Sequence, residues 1–276
     1  MLVEMAIGDA FGACFEMKPV SFVEKYNNPI SYPSTRHPGI YTDDTQMAVA
    51  MAELMLADRK WSELSIANSL VACYKRDPRK GYARGFGMLL DACCDGEALL
   101  TAIRPNSVKS GAAMRSPPLG LFKTGSEVVA KAFKNASVTH DTDEGRNSAA
   151  AAALMVHCFA FRQEGKDGLR DFVSYFVEGP WWTPWYGPVG NLGYQAVNAA
   201  ITAIEDSKTL SDVLRKSVAF TGDTDTVASI AMAAASFSRE IKNDLPEALV
   251  QGLEDGPFGR KYLRGLDEEL CSKFLV

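Results

Sequence analysis

The sequence predicts an all-α protein, a compact multi-helix bundle. Strand signals are scarce across the 276 residues. Ten segments read as helices, most with apolar residues at three- and four-residue spacing, the period of a helix with one buried face. Two of them, 148-SAAAAALMVHCFA-160 and 225-DTVASIAMAAASFSRE-240, are small or apolar almost throughout. Such helices are buried on most sides, and two of them imply a bundle with the others wrapped around.

In chain order, the first expected helix is 45–57 (TQMAVAMAELMLA), made of strong helix formers with Asp43 and Asp44 just ahead of it. Expected next are 61–75, 88–103, 122–136, 145–163, 168–177, 190–206, 210–219, 225–240 and 245–254. Gly and Pro mark loops at 27–41, 104–120 and 179–190. The last holds three of the four tryptophans, in 180-PWWTPWYGP-188. Trp181, Trp182 and Trp185 read as core packing, with adenine stacking or a lid as the alternative. No repeat, low-complexity run or composition break appears, so 1–276 is expected to be one domain.

Apolar residues make up 47% of the chain, enough for a sizeable core, and the net charge is −5 with a pI near 5.4. The short basic runs 75-KRDPRK-80 and 260-RK-261 read as solvated surface. This balance speaks against a nucleic-acid partner. Six cysteines, at 14, 73, 93, 94, 158 and 271, form no C-x-x-C pair. They read as core thiols in a reducing, cytoplasmic setting. The N-terminus lacks a signal-peptide pattern. The Ala-rich stretch 148–161, bounded by Arg146 and Arg162, is too short to cross a bilayer, so no membrane partner is expected.

Polar residues at the edges of apolar helices carry the chemistry. The segments 41-YTDDTQ-46 and 221-TGDTDTVA-228 each open a helix. Helix capping needs one Thr or Asp, two at most. Here 42-TDDT-45 and 223-DTDT-226 each supply two Asp and two Thr in four positions. Adjacent, partly buried carboxylates repel until one takes a proton or a cation neutralises them. The donors are hard oxygens without Cys or His, which suits Mg²⁺, Mn²⁺ or Ca²⁺ and argues against zinc. Four carboxylates from two loops are enough for a pair of cations.

These motifs, with 8-GDAFGACFE-16, 111-GAAMR-115 and 139-TH-140, resemble the ADP-ribosylglycohydrolase family. All five stand in family order, from Gly8 to a 245-LPEAL-249 segment similar to the family's closing helix. The resemblance implies the family's helical bundle with a two-metal site in a central cleft. It implies two Mg²⁺ (or Mn²⁺) ions on Thr42, Asp43, Asp44, Asp223, Asp225 and Thr226. It also implies catalytic roles for Glu16, as general acid/base or gate, and Asp44. Phe86 and Gly87, in the aromatic-Gly block, would lie near the ribose. Ser110, Gly111, Ala112 and Met114 would belong to the diphosphate loop, and His140 would face substrate. Asp9 is expected to brace the first turn, His157 to be core and His37 to be loop surface. Three residues depart from the pattern. Lys109 and Ser110 stand where many members have Gly-Asn, and Gly85 where arginine-directed members often have Asp.

The activity implied is hydrolysis of the C1″ glycosidic bond of ADP-ribose on an acceptor, so the expected partner is an ADP-ribosylated protein or a small ADP-ribose conjugate. The alternatives are a hydrolase of O-acyl-ADP-ribose, a reader that binds ADP-ribose without cleaving it, and a crystallin-like bulk protein.

Overall fold

A computed structural model describes residues 1–33, 38–162 and 165–275. Its elements are α1 Leu2–Gly12, α2 Val20–Tyr26, α3 Asp43–Leu56, α4 Glu63–Arg76, α5 Arg84–Ala92, α6 Gly96–Ala102 and α7 Gly111–Met114. There follow α8 Gly125–Ser137, α9 Asp143–His157, α10 Leu169–Phe176, α11 Gly193–Glu205, α12 Leu210–Ala219, α13 Thr224–Ala235, α14 Glu247–Gly252 and α15 Arg260–Phe274. Among the described residues there is no strand, only isolated bridges between loops. No described helix is long and apolar enough to cross a membrane.

The two Ala-rich segments lie at the centre as expected. Every residue of α13 is buried, and α9 is buried from Ser148 to His157. Around α13 pack α1, α12, α11, α9 and α3. Small side chains allow this, because helix backbones approach closely only where little stands between them.

The tightest approach is between α1 and α13. Gly8 and Gly12 share one face of α1. A Cβ at Gly8 would lie 2.5 Å from the Ala228 carbonyl oxygen, and one at Gly12 would lie 2.5 Å from Asp225 Cα. The Thr224 hydroxyl donates to the Gly12 carbonyl at 2.8 Å. Gly12→Ala is therefore expected to destabilise the protein by about 1–3 kcal/mol through forced backbone shifts. Gly265→Ala, in a helix with open space around the new Cβ, is expected to stabilise it by about 0.5–1 kcal/mol. Denaturant midpoints of the two variants check the opposite signs.

Several boundaries differ from the sequence expectation. The segment 88–103 breaks into α5 and α6, because Asp95 accepts the Ala98 N–H at 2.9 Å and caps a new start. Helix α13 ends at Ala235 and not at 240. Helix α9 passes into a π-helical turn, Cys158–Arg162. The expected loop 104–120 contains α7 and a 3-10 turn, Pro117–Leu121. Helices α1, α2 and α15 lie outside the ten expected segments.

The Trp-rich loop is a strut. Arg170 donates to the carbonyls of Trp181 and Thr183, to Asn198 and Thr202 of α11, and to Glu205. Trp181 is core, 1% exposed, whereas Trp182 is 66% exposed. His157 is buried with Nδ1 against the Gly120 carbonyl at 3.0 Å. His37 lies outside the described residues.

Candidate active site

The starts of α3 and α13 meet at the floor of one cleft, of about 720 Å³. Backbone pairing sets the α13 side. Val189 takes the Asp223 N–H at 2.9 Å and gives its own N–H to Thr221 at 3.0 Å. Further bridges join Lys109 to Leu192 and Asn106 to His140. The loops that ring the cleft are thus tied to one another.

Asp9 sets the α3 side. Its carboxylate accepts the Thr42 and Thr45 N–H groups, each at 3.0 Å, and their hydroxyls at 2.8 and 2.7 Å. It caps the helix that carries the two aspartates; the sequence reading expected a hydrogen-bonding brace at Asp9 but not this partner. Lys80 holds the Asp43 N–H through its carbonyl. The next residue, Gly81, has φ +102, and a Cβ there would fall 1.9 Å from an Asp43 carboxylate oxygen. Only glycine satisfies both conditions.

Asp43, Asp44, Asp223, Asp225 and Thr226 all line the cleft and are 3–7% exposed. Thr42 sits directly behind them, its hydroxyl 3.5 Å from Asp44. Asp44 also accepts from Ser229 of α13 at 3.2 Å, which bonds the two helix starts across the floor. Ser110 donates to Asp223 at 3.4 Å. Burial pushes the carboxyls of Asp43, Asp44 and Asp225 well above the usual range, and the charges of neighbouring carboxylates, Asp9 and Asp223 among them, push further. Asp9 and Asp223 are raised as well, by burial against the pull of their hydrogen bonds. Among the described residues no Lys or Arg forms an ion pair with any of the five.

Five buried carboxylates that no described Lys or Arg pairs with, interleaved with threonine hydroxyls, make a donor set that fits hard divalent ions. Among the described residues no three His, Cys, Asp or Glu side chains are turned onto one point. Asp44 and Asp223 spend oxygens on hydroxyl donors instead.

Glu16 stands at the cleft rim, reached by solvent. Partial enclosure raises its pKa, and the charges of Asp223 and Asp9 add to this. Arg104, Lys109 and Arg115 are also among the lining residues. Phe86, Ser110, Gly111, Met114 and His140 line the cleft too. Gly87 and Ala112 are not among its lining residues. Ala112 is packed with Ala136 and Ala149, and Gly87 lies within α5. Trp181, Trp182 and Trp185 do not line it either.

Gly81, Arg104, Arg115, Thr139 and Asn191 are among the further lining residues that the sequence reading did not name as site residues. Arg115 and Thr139 stood within motifs already quoted. Gly81 was readable as a loop glycine, but nothing in the sequence pointed it at Asp43.

An all-helical protein with the carboxylates of two helix starts sunk in one cleft is the class that fold and site define. The chain belongs to the ADP-ribosylglycohydrolase family, whose sequence model matches residues 1–275. It is 34% identical over 125 residues to ADP-ribosylhydrolase ARH3 of Homo sapiens, covering 42% of this chain and 34% of the relative. Against ARH3 of Mus musculus the identity is 32% over 168 residues, covering 55% and 45%. It is 24% identical over 257 residues to ADP-ribosylarginine hydrolase Tri1 of Pseudomonas putida (strain GB-1), covering 83% and 67%. The chain thus spans about a third to a half of the length of these ARH3 relatives. A solved structure described as an ADP-ribosylglycohydrolase-related protein complex superposes with a TM-score of 0.78 at 22% identity, covering 100% of this chain and 96% of that one. That likeness concerns the fold.

Proposed function

We propose that this chain is a divalent-cation-dependent hydrolase that cleaves the C1″ glycosidic bond of ADP-ribose attached to an acceptor. The observation that carries the reading is the meeting of 42-TDDT-45 and 223-DTDT-226 at the floor of one cleft, whose lining also includes Arg104 and Lys109. A ligand that fits has a hydroxyl-rich end and an anionic middle, as a ribosyl diphosphate does.

Two Mg²⁺ or Mn²⁺ ions held by Thr42, Asp43, Asp44, Asp223, Asp225 and Thr226 would supply positive charge at hydroxyls of the ribose distal to adenosine. The chain's own groups do the rest. Glu16, with its raised pKa, would exchange a proton at the scissile bond, with Asp44 on the cleft floor as the second catalytic carboxylate. Lys109 and the loop 110–114 receive the diphosphate, where small residues let backbone N–H groups approach. Phe86 and Met114 give apolar walls. Gly85 supplies no carboxylate where arginine-directed relatives often have Asp, which supports an acceptor other than a guanidinium group.

The test is incubation with ADP-ribosylated arginine, serine and nucleic acid, and with O-acyl-ADP-ribose, each with and without chelator. Free ADP-ribose is expected from at least one substrate, and only without chelator. Release that chelator leaves untouched, or none from any substrate, overturns the reading. The O-acyl arm separates a small conjugate from a protein-linked acceptor.

A further inference from the structure

Arg115 carries its charge in the interior without a carboxylate partner among the described residues. It is 0% exposed. Its donors go to Asn135 Oδ1 at 2.8 Å, the Asn135 carbonyl at 2.8 Å, the Gly111 carbonyl at 3.2 Å and Thr139 Oγ1 at 2.9 Å. Thr139 Oγ1 in turn lies 2.6 Å from His140 Nδ1. On the other side of that ring, Nε2 is buried and has no partner. His140 lines the cleft, and a Cβ at Gly111 would fall 3.5 Å from Nε2. The ring edge therefore lies against the loop that the Arg115 guanidinium holds from behind.

The hydrogen positions follow from donor logic. A guanidinium only donates. Thr139 Oγ1 accepts from it, so the hydroxyl proton needs an acceptor elsewhere. His140 Nδ1 is the acceptor within reach. Nδ1 is then unprotonated, and the ring proton must sit on Nε2.

We propose that Arg115 and Thr139 form a relay that fixes His140, a residue of the cleft lining, as the Nε2–H tautomer, a standing hydrogen-bond donor for a diphosphate oxygen. Burial and the nearby Arg115 charge push the His140 pKa down to about 3, which agrees with a neutral ring. Arg115 and Thr139 are positioning residues that act through His140. The ligand half of the proposal rests on the ADP-ribose reading above. The tautomer half does not.

The experiment is nitrogen NMR on the ¹⁵N-histidine-labelled, ligand-free protein, with His140 assigned by the signals lost in His140→Asn. The expected result is a neutral ring protonated on Nε2. Thr139→Val keeps the shape and removes the hydroxyl. It is expected to move ring protonation toward Nδ1 and to weaken ADP-ribose binding, read by calorimetry, by roughly ten- to a hundredfold. Thr139→Ser is expected to restore both. A wild-type ring protonated on Nδ1, or a folded Thr139→Val with an unchanged tautomer, overturns the relay. The wild-type spectrum decides the tautomer even if the variant fails to fold. An Nε2–H ring in a protein that binds no ADP-ribose overturns the ligand reading and leaves the relay standing.

Discussion

Asp44→Asn is expected to lower ADP-ribose release by at least about a hundredfold while leaving the helical fold intact, as removal of a group that organises transition-state charge does. Asp44 is buried where α3 meets α13, accepting from Ser229 and lying 3.5 Å from the Thr42 hydroxyl. Asn keeps its shape and one acceptor oxygen for Ser229, so packing changes little. What it loses is the negative charge on which the proposed chemistry draws. Turnover on the best substrate, alongside far-UV circular dichroism, checks this. A folded Asp44→Asn protein with full turnover would remove Asp44 from the site.

Asp225→Asn should act in opposite directions on stability and on cation response. Asp225 is 5% exposed, and burial, followed by the charges of Asp44 and Asp223, raises its carboxyl well above the usual range. In cation-free buffer the amide removes a buried charge from a repelling group, a gain of about 1–3 kcal/mol. Its oxygen still accepts the Thr226 N–H, which Asp225 holds at 3.0 Å. Wild-type protein, by contrast, should gain about 2.7 kcal/mol from Mg²⁺ or Mn²⁺ at a hundred times Kd, roughly 5–10 °C for a chain of this size. The variant should gain little.

The pH dependence has a definite sign. Below the ordinary carboxylate range both folded and unfolded chains hold these protons. As pH rises through that range the unfolded chain releases them first, so the cation-free fold loses stability with rising pH until its own carboxyls ionise. Thermal melts with chelator and with added Mg²⁺, across acid to neutral pH, test both statements. Asp225→Asn melting well below wild type in chelator would show that the carboxylate charges are already compensated.

The helical class and the two central helices were legible because runs such as 149-AAAAALMV-156 have no other economical packing. Helices at the two ends of the chain were harder to read. Helix α1 is buried on nearly every side and so shows little period. Helix α15 buries only Leu263, Leu266 and Leu270 in a charged background. The split at Cys93–Asp95 turned on one capping side chain within an apolar run. At the site, acidic pairs beside threonines were conspicuous in one dimension. The Asp9 brace was expected from its motif, and the structure gives it four donors. The Arg115–Thr139–His140 chain was not legible, because its logic depends on which lone pair faces which proton, and spacing does not encode that.

The close contact between α1 and α13 has one further consequence. At Gly8 and Gly12 the first atoms an added carbon would strike are backbone atoms of Ala228, Thr224 and Asp225. A partner made of main chain offers no side chain to trim, so no compensating substitution on α13 makes room. Second-site suppressors of a bulky residue there would have to move whole helices. Genetic drift is foreclosed at these two positions in a way that ordinary core residues, which can repack in pairs, escape.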